Sequence, residues 1–579
     1  MSAPVPDAEP NHGFDDSRRL TGPNRWFAGP AVTLTPLGLA AADPAAWARW
    51  AEHVRSMCSA LGWPDPQPWV ERHAGGVLLV FVAPEDRLFT ATEVNEWAWE
   101  RAAAASGETA FDLAQDLGED AAATLAARAA TETSPALATL RAAEMAHGLP
   151  LFEDDDEVSL GAGTGSRRWP RSELPAAAAV PWSALHDVPT ALVTGSNGKT
   201  TTVRLLAALA AAAGLTPGHC STEGVFVGGH AVQEGDYAGP AGAREVLRHP
   251  QVQAAILETA RGGILRRGLA LRRADVAVVT NISPDHLGEY GIEDADDLAG
   301  TKLVVARTVL QGGTLVLNAD DTTLMAAAAR LPHAAAARQA LFAADHAHPA
   351  LVKLRDEGGS TCGVRGGALL LCRGGQEHPL GEVAALPLTL GGAARHNIAN
   401  LSAAALAAAA LGLPLAAIVG TLQRFGATPQ DNPGRLERWR HRGATVLIDY
   451  AHNPDGLAQL LGVARALQPT RLLLLLGQAG NRDDAAITDL ARTAAAFAPD
   501  GIVIKELPLM LRGRAPGEVP ALIERALLAA GVAPGRITVQ PDEEAAAHLL
   551  LDAAEPGDVI VLPVHTLAVR EQLTKRLGA

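Results

Sequence analysis

Ala191-Leu-Val-Thr-Gly-Ser-Asn-Gly-Lys-Thr-Thr-Thr202 holds a strand end, a glycine loop and a helix start in one stretch. Its apolar β-type run stops at Thr194, Gly195 and Gly198 frame the turn, and an alanine-rich segment with helical composition follows over residues 200–213. Glycines let backbone N–H groups curl around phosphate oxygens, and a helix N-terminus adds the positive end of its dipole. Lys199 is placed to bridge terminal phosphates and the Thr200 hydroxyl to ligate Mg²⁺. The spacing departs from the common G-x-x-x-x-G-K-[ST] loop, because position 193 is valine and the leading glycine is Gly195.

Working outward, residues 254–258, 276–280 and 314–317 read as further apolar strands, with helices expected over 200–213 and 298–309. Strands separated by helices mean βαβ units and a mainly parallel sheet covered on both faces. Residues 351–390 read as a glycine-rich β insertion, followed by a helix from Asn397. A second α/β unit begins near Pro433, with strands at 445–448, 471–476, 501–504 and 559–562. Before residue 180 the texture is α+β: a strand at 76–82, helices at 119–130 and 136–147, and an acidic run at 153–157. Residues 161–170 and the Ala/Pro segment to 181 read as loop and linker. The expectation is an α/β chain of three domains, at residues 1–180, 181–428 and 429–579.

Composition bounds the function. The net charge of -16 argues against a general nucleic-acid binder, which needs clustered Lys and Arg, but leaves a nucleotide substrate open. The four cysteines, Cys58, Cys220, Cys362 and Cys372, are scattered without a C-x-x-C pair, so neither a disulfide framework nor a zinc site is expected. The N-terminal residues hold no apolar run of signal-peptide type, and no stretch is long enough to span a bilayer. The expected setting is cytoplasmic.

Two more strand ends carry chemistry. Glu258 closes an apolar strand, and a carboxylate at the C-terminal end of a parallel strand points into the crevice where ligands bind and can hold Mg²⁺. A solvated strand-end acid is the plainer alternative. Thr280-Asn281-Ile282-Ser283-Pro284-Asp285-His286 lies beyond another strand. There His286 reads as a metal ligand, a holder of metal-bound water, or a structural histidine.

In order, GSNGKTTT, LETARGG, TNISPDHLG, LNADD, RHNIAN, NPGRLE and DYAHNPDG resemble the Mur ligase superfamily. The similarity is greatest to the Mur-type portion of the cyanophycin synthetase family, through LETARGGILRRGL and NISPDHLG, and covers roughly residues 187–579. The resemblance implies a P-loop central domain with a mainly parallel sheet flanked by helices, a Rossmann-like C-terminal domain, and an α+β N-terminal domain. It implies ATP and two Mg²⁺. Gly195, Ser196, Asn197, Gly198, Lys199, Thr200, Thr201 and Asn281 would bind the nucleotide, with His396 and Asn397 on its base side. Glu258 and His286 would serve the metal site, and Lys302 stands where the family often carries a carbamylated lysine that supports the second Mg²⁺. Arg435 and Asp449 would close over the ATP and the acceptor carboxylate. The implied chemistry moves the γ-phosphoryl onto a carboxylate, and an amine then attacks the acyl phosphate.

Further similarity lies in Leu20-Thr-Gly-Pro-Asn-Arg-Trp-Phe27 and in residues 157–168, which resemble stretches preceding the ATP-grasp domain of cyanophycin synthetases. The linker then runs directly into the Mur-like region, so a single ligase site is expected. That leaves open a separate ATP-grasp ligase as partner, or a different substrate. Residues 507–511, Leu-Pro-Leu-Met-Leu, stand where the relatives carry acidic residues before Arg-Gly-Arg, which does not suit an arginine amine. Arg512 and Arg514 read either as a grip on a substrate carboxylate or as helix-start surface residues. The expected partners are amino-acid or peptide substrates and copies of the chain itself, with neither nucleic acid nor membrane. Two rivals are a non-catalytic scaffold for an ATP-grasp ligase and a plain P-loop ATPase or kinase. Retention of Lys199, Thr200, Glu258, His286, Lys302, Arg435 and Asp449 opposes the first, and DYAHNPDG opposes the second.

Overall fold

A computed structural model describes residues 13–107, 116–118, 120–284 and 287–578. The chain forms two compact units. One comprises Met1–Gly195, Gly214–Leu317 and Asp321–Gln339; the other comprises Ser196–Ala213, Asn318–Asp320 and Ala340–Ala579. The chain therefore passes from one unit to the other inside the glycine loop.

In the first unit, five strands run parallel in the order Pro217–Ser221, Ala254–Glu258, Thr190–Thr194, Ala274–Val279 and Val309–Asn318. Two antiparallel strands, Gly224–Val227 and His230–Glu234, extend the edge beyond Pro217–Ser221. The inner strands Thr190–Thr194 and Ala254–Glu258 are buried along their whole length, which is why they read as apolar runs instead of alternating ones. The strand expected at 254–258 coincides with the observed one. The helix expected over 298–309 stops at Lys302, tightens into a 3₁₀ turn at Leu303–Thr308, and gives way to strand at Val309. Val304 and Val305 are β-branched neighbours whose stiff side chains crowd a preceding α-turn.

The same unit carries an antiparallel sheet ordered Phe14–Leu20, Ala31–Pro36, Gly76–Val82 and Trp69–His73. The helices Pro44–Ala60 and Leu88–Ala104 bury Trp50, Val54, Val94 and Trp99 in one core with Val32, Leu34, Leu79 and Phe81. The loop after Leu20 rests on the parallel-sheet part of the unit. Thr21 N donates to Arg267 O at 2.8 Å, Leu269 N to Pro23 O at 2.9 Å, and Arg25 pairs with Asp297. The Leu20–Phe27 stretch thus braces the helices Arg261–Arg267 and Ala295–Lys302.

Residues 161–170, expected as loop, are partly strand. Arg167–Pro170 pairs with Glu157–Leu160, which pairs with Leu151–Glu153. Arg248, 2% exposed, closes this small sheet by donating to Phe152 O (3.1 Å), Glu157 O (3.2 Å) and Ser159 Oγ (3.1 Å) and by pairing with Asp154. A guanidinium is buried at acceptable cost only when its donors are met in this way. The acidic run is half of that arrangement, and its meaning depends on an arginine far along the chain. The helix expected from 119 is observed at Ala121–Glu132, capped by Asp120; Glu119 lies outside the described residues.

In the second unit, Gln339–Asp345, Ser360–Arg365, Ala368–Arg373 and Gln376–Glu382 are neighbours in that order, the first pair parallel and the rest antiparallel. The β insertion expected from 351 begins instead as a helix, Pro349–Asp356, with proline in its first turn and His348 accepting from Ala350 N. The C-terminal sheet is ordered Glu437–His441, Ala444–Asp449, Val559–Pro563, Leu472–Leu476, Gly501–Ile504 and Ile537–Val539, parallel except for its first strand. Separate apolar cores lie on its two faces. None of the described helices is long and apolar enough to cross a membrane.

Candidate functional site

In the first unit, Thr190–Thr194 lies between and parallel to Ala254–Glu258 and Ala274–Val279, so their C-terminal ends align along one edge. Glu258, at the end of its strand and in register with Val193, is 1% exposed. Thr280 folds back on Thr194, its N–H and hydroxyl both donating to the Thr194 carbonyl at 3.0 and 3.3 Å. This packing leaves no space beside Gly195: a Cβ there would lie 1.8 Å from Thr280 Oγ1, and φ is +149°. Lys302 ends its helix almost wholly buried and donates from Nζ to Gly195 O at 2.9 Å. Asn281 sits in the turn after the strand; beside it, Ile282 N donates to Asp321 Oδ2 at 2.5 Å, while Asp321 Oδ1 caps the next helix through Leu324 N. His286 and Asp285 lie outside the described residues. Cys220, near the Glu258 backbone, is fully buried, and desolvation pushes its thiol up, which disfavours the thiolate.

The rest of the loop belongs to the second unit. Gly198 is the N-cap of the helix Lys199–Ala212 in the left-handed region, at φ +85°, and offers no side-chain cap. A Cβ on it would meet Asn400 Oδ1 at 2.2 Å. Ser196 is buried, and its carbonyl accepts from Lys199 Nζ at 3.1 Å. Asn197 donates to Asp455 Oδ2 at 2.7 Å and accepts from Asn453 Nδ2 at 3.1 Å. Thr200 Oγ1 accepts from Arg435 Nη2 at 3.2 Å, and Thr201 Oγ1 accepts from Asn432 Nδ2 at 3.2 Å. One turn on, Arg204 donates to Pro433 O at 2.5 Å. The loop and its helix are therefore bonded to both the NPGRLE and the DYAHNPDG stretches.

Arg435 lies over the Tyr450 ring, its guanidinium carbon 4.6 Å from the centroid, a cation–π contact that fixes its plane. Asp449 accepts from Leu436 N at 2.7 Å. Burial pushes its carboxyl up, opposed by Arg435 and by the N–H groups of Leu436, Ala451 and Tyr450. The Asp449 side chain thus holds the backbone on which Arg435 is mounted. Behind Tyr450, His565 meets the ring edge-on at 5.1 Å and is joined to a buried Lys505–Glu543 ion pair.

Asn397 is buried, with both ends of its amide used inside the fold: Nδ2 donates to Leu388 O and Oδ1 accepts from Asn400 Nδ2, each at 3.0 Å. His396 beside it is lowered to about 4 by desolvation, so it is neutral near pH 7. Since an unfolded histidine takes its proton near 6.5, the native state loses stability as pH falls from about 6.5 toward 4. We expect denaturation midpoints of the wild-type chain to fall over that window and those of His396→Gln to fall less, the difference reaching at most about 3 kcal/mol.

Arg514, read as a grip on substrate or as a helix-start residue, pairs with Glu518 at 2.6 Å and Asp484 at 2.8 Å. Sequence reading missed Arg204, Asn400, Asn432, Asn453 and Asp455 as individual residues. Four of them lie inside RHNIAN, NPGRLE and DYAHNPDG, but neutral amides and a helix-start acid carry no distinctive spacing. Arg204 sits one turn into an alanine-rich helix and gives no signal at all.

The chain matches the Mur ligase middle domain over residues 193–408 and the Mur ligase glutamate ligase domain over residues 434–563. It is 36% identical over 392 residues to the cyanophycin synthetase of Trichormus variabilis, covering 68% of this chain and 43% of the relative. The cyanophycin synthetase of Synechocystis sp. is 36% identical over 378 residues, covering 65% and 42%. The UDP-N-acetylmuramoyl-L-alanyl-D-glutamate--2,6-diaminopimelate ligase of Xanthomonas campestris pv. campestris is 32% identical over 381 residues, covering 64% and 70%. The chain spans less than half the length of the cyanophycin synthetases that it matches.

Proposed function

The chain belongs to the Mur ligase family, and from that premise we propose that it is an ATP-dependent carboxylate–amine ligase, forming an amide bond through an acyl phosphate with release of ADP and phosphate. The observation that carries this reading is the bonding of the glycine loop to ligase-domain residues. Asn197 meets Asn453 and Asp455, Thr200 meets Arg435, and Thr201 meets Asn432. A simple ATPase has no use for such an attachment, whereas a ligase must align the phosphates with a second substrate.

The residues fit a nucleotide triphosphate. A helix N-terminus with a glycine cap directs its first N–H groups outward, and Gly195 and Gly198 are too tightly packed to carry side chains. The Thr200 hydroxyl and Glu258 carboxylate are hard oxygen donors of the kind Mg²⁺ takes. Bound magnesium would neutralise charge on the transferring phosphoryl group. Lys199 places a positive charge at the terminal phosphates. Lys302 holds the loop from beneath, either as the ammonium or, as the resemblance implies, carbamylated for a second Mg²⁺. His286, on the same family grounds, serves the metal. Arg435, set by Tyr450 and by Asp449, supplies a planar cation to the acyl phosphate or to the acceptor carboxylate.

The substrates in this reading are an amino acid or short peptide carrying the carboxylate and an amino acid supplying the amine. Leu509, exposed in the turn Pro508–Met510, supports an amine side chain unlike guanidinium. The test is phosphate release from ATP and Mg²⁺ across amino acids and Asp- or Glu-containing peptides, with mass spectrometry of products. Release that requires one carboxylate–amine pair and yields the matching adduct is the expected result. Release without an adduct in every pair would remove the ligase reading.

A further inference from the structure

A second cluster of chemistry lies in the second unit, sharing no residue with the groups above. His346 follows the strand Gln339–Asp345, with its N–H donating to Val364 O at 2.9 Å. Cys372 lies in Ala368–Arg373, and Glu377 faces it directly across the antiparallel pair. Directly opposed residues on adjacent strands send their side chains to the same face. One nitrogen of His346, the Cys372 sulfur and one oxygen of Glu377 all lie within 4.8 Å of one another.

The imidazole is the informative member. His346 is 3% exposed, and its buried Nε2 has no hydrogen-bond partner, although Glu377 Oε1 is 3.5 Å away. A buried ring nitrogen is costly unless something supplies its missing interaction. The backbone is shaped to bring this ring in: a Cβ on Gly363 would stand 2.9 Å from His346 Cα. Neighbouring cations hold Glu377 and the His346 backbone. Arg365 grips Glu377 Oε1 at 3.0 Å and Oε2 at 2.5 Å, and Arg355 donates to His346 O at 3.0 Å and to Thr361 Oγ1 at 3.2 Å. Orientation of a ligating carboxylate by an outer partner is the usual support of a metal site.

We propose that His346, Cys372 and Glu377 bind a zinc-type divalent cation, with water as fourth ligand, clipping the three-strand insert to the end of Gln339–Asp345. The donor set of one nitrogen, one sulfur and one carboxylate oxygen suits a borderline-soft metal, and bond lengths of about 2.0–2.3 Å need only a small contraction of the cluster. Binding releases the Cys372 proton to solvent, leaving thiolate and carboxylate to balance the two positive charges. Affinity therefore rises with pH, and burial together with Glu377, which pushes the thiol up, strengthens that dependence.

The test uses the full-length chain, freed of metal by a chelator and titrated with cobalt(II). Wild type and Cys362→Ser should each develop a thiolate-to-cobalt charge-transfer band that saturates at one equivalent and that zinc erases. Cys372→Ser should lose the band, and His346→Gln should bind at least tenfold more weakly. Magnesium sites built from oxygen donors give no such band, so the nucleotide loop does not interfere. A wild-type chain without the band in excess cobalt, or a band that survives Cys372→Ser, overturns the proposal. His346→Gln changes a turn residue outside the strands, so unaltered affinity in that variant also overturns it.

Discussion

Lys199→Ala is expected to reduce adduct formation by at least about 10²–10³-fold, the range seen when one preorganised electrostatic donor is removed from a transition state. Phosphoryl transfer leaves a protein little covalent work; positioning and charge dominate its rate. Lys199 is partly exposed in the first turn of its helix, and its ammonium donates to the Ser196 carbonyl within the same loop. Alanine is also the best helix former, so the helix Lys199–Ala212 should keep its stability. The measurement is steady-state adduct formation by mass spectrometry beside a denaturant titration of both proteins. An unchanged denaturation midpoint with a collapsed rate separates chemistry from folding. A rate within threefold or so of wild type would remove Lys199 from the phosphate-binding role.

The largest expected stability change lies elsewhere. Lys505 is fully buried and joined to Glu543, to Pro563 O and, at 3.0 Å, to His565 Nδ1. Burial pulls the lysine down to about 8, while Glu543 opposes that shift. Glu543 is also wired into the fold, accepting from His565 N at 2.8 Å and Thr566 N at 3.1 Å. Lys505→Ala therefore strands a buried carboxylate, and breaking one side of such a pair costs about 3–5 kcal/mol. Removing both charges with Lys505→Met and Glu543→Gln together should cost much less, because no charge is left uncompensated. Urea unfolding of the two variants makes the comparison. The effect should reach function as well, since His565 Nε2 donates to Ala451 O at 3.2 Å and the ring packs edge-on to Tyr450, the ring beneath Arg435.

Much of this protein was legible before folding. The parallel strands could be placed because inner strands covered on both faces leave unbroken apolar runs; those at 254–258 and 501–504 coincide with the observed elements. The glycine loop was legible because its glycines, lysine and threonines stand at fixed local spacing between a strand and a helix, and local spacing can be read along the chain. Gly195 and Gly198 have no room for a side chain, but the obstacles, Thr280 and Asn400, lie 85 and 202 positions away and announce nothing themselves.

What tertiary structure alone decided is of that second kind. Residues 161–170 read as linker because their glycines are locally ambiguous; pairing to Glu157–Leu160 and closure by Arg248 make part of them strand. The Asn397 side chain, which carries no partner signal in the sequence, bonds Leu388 O and Asn400 Nδ2 once the helix is packed. The anchoring of the loop helix by Asn432, Asn453 and Asp455 joins positions more than two hundred residues apart. Cys372, isolated in sequence, gains His346 and Glu377 only when the strands align. Periodicity and local loop chemistry are set by neighbours along the chain and can be read there. Pairing between distant polar groups is set by which elements pack together, and that choice belongs to the whole fold.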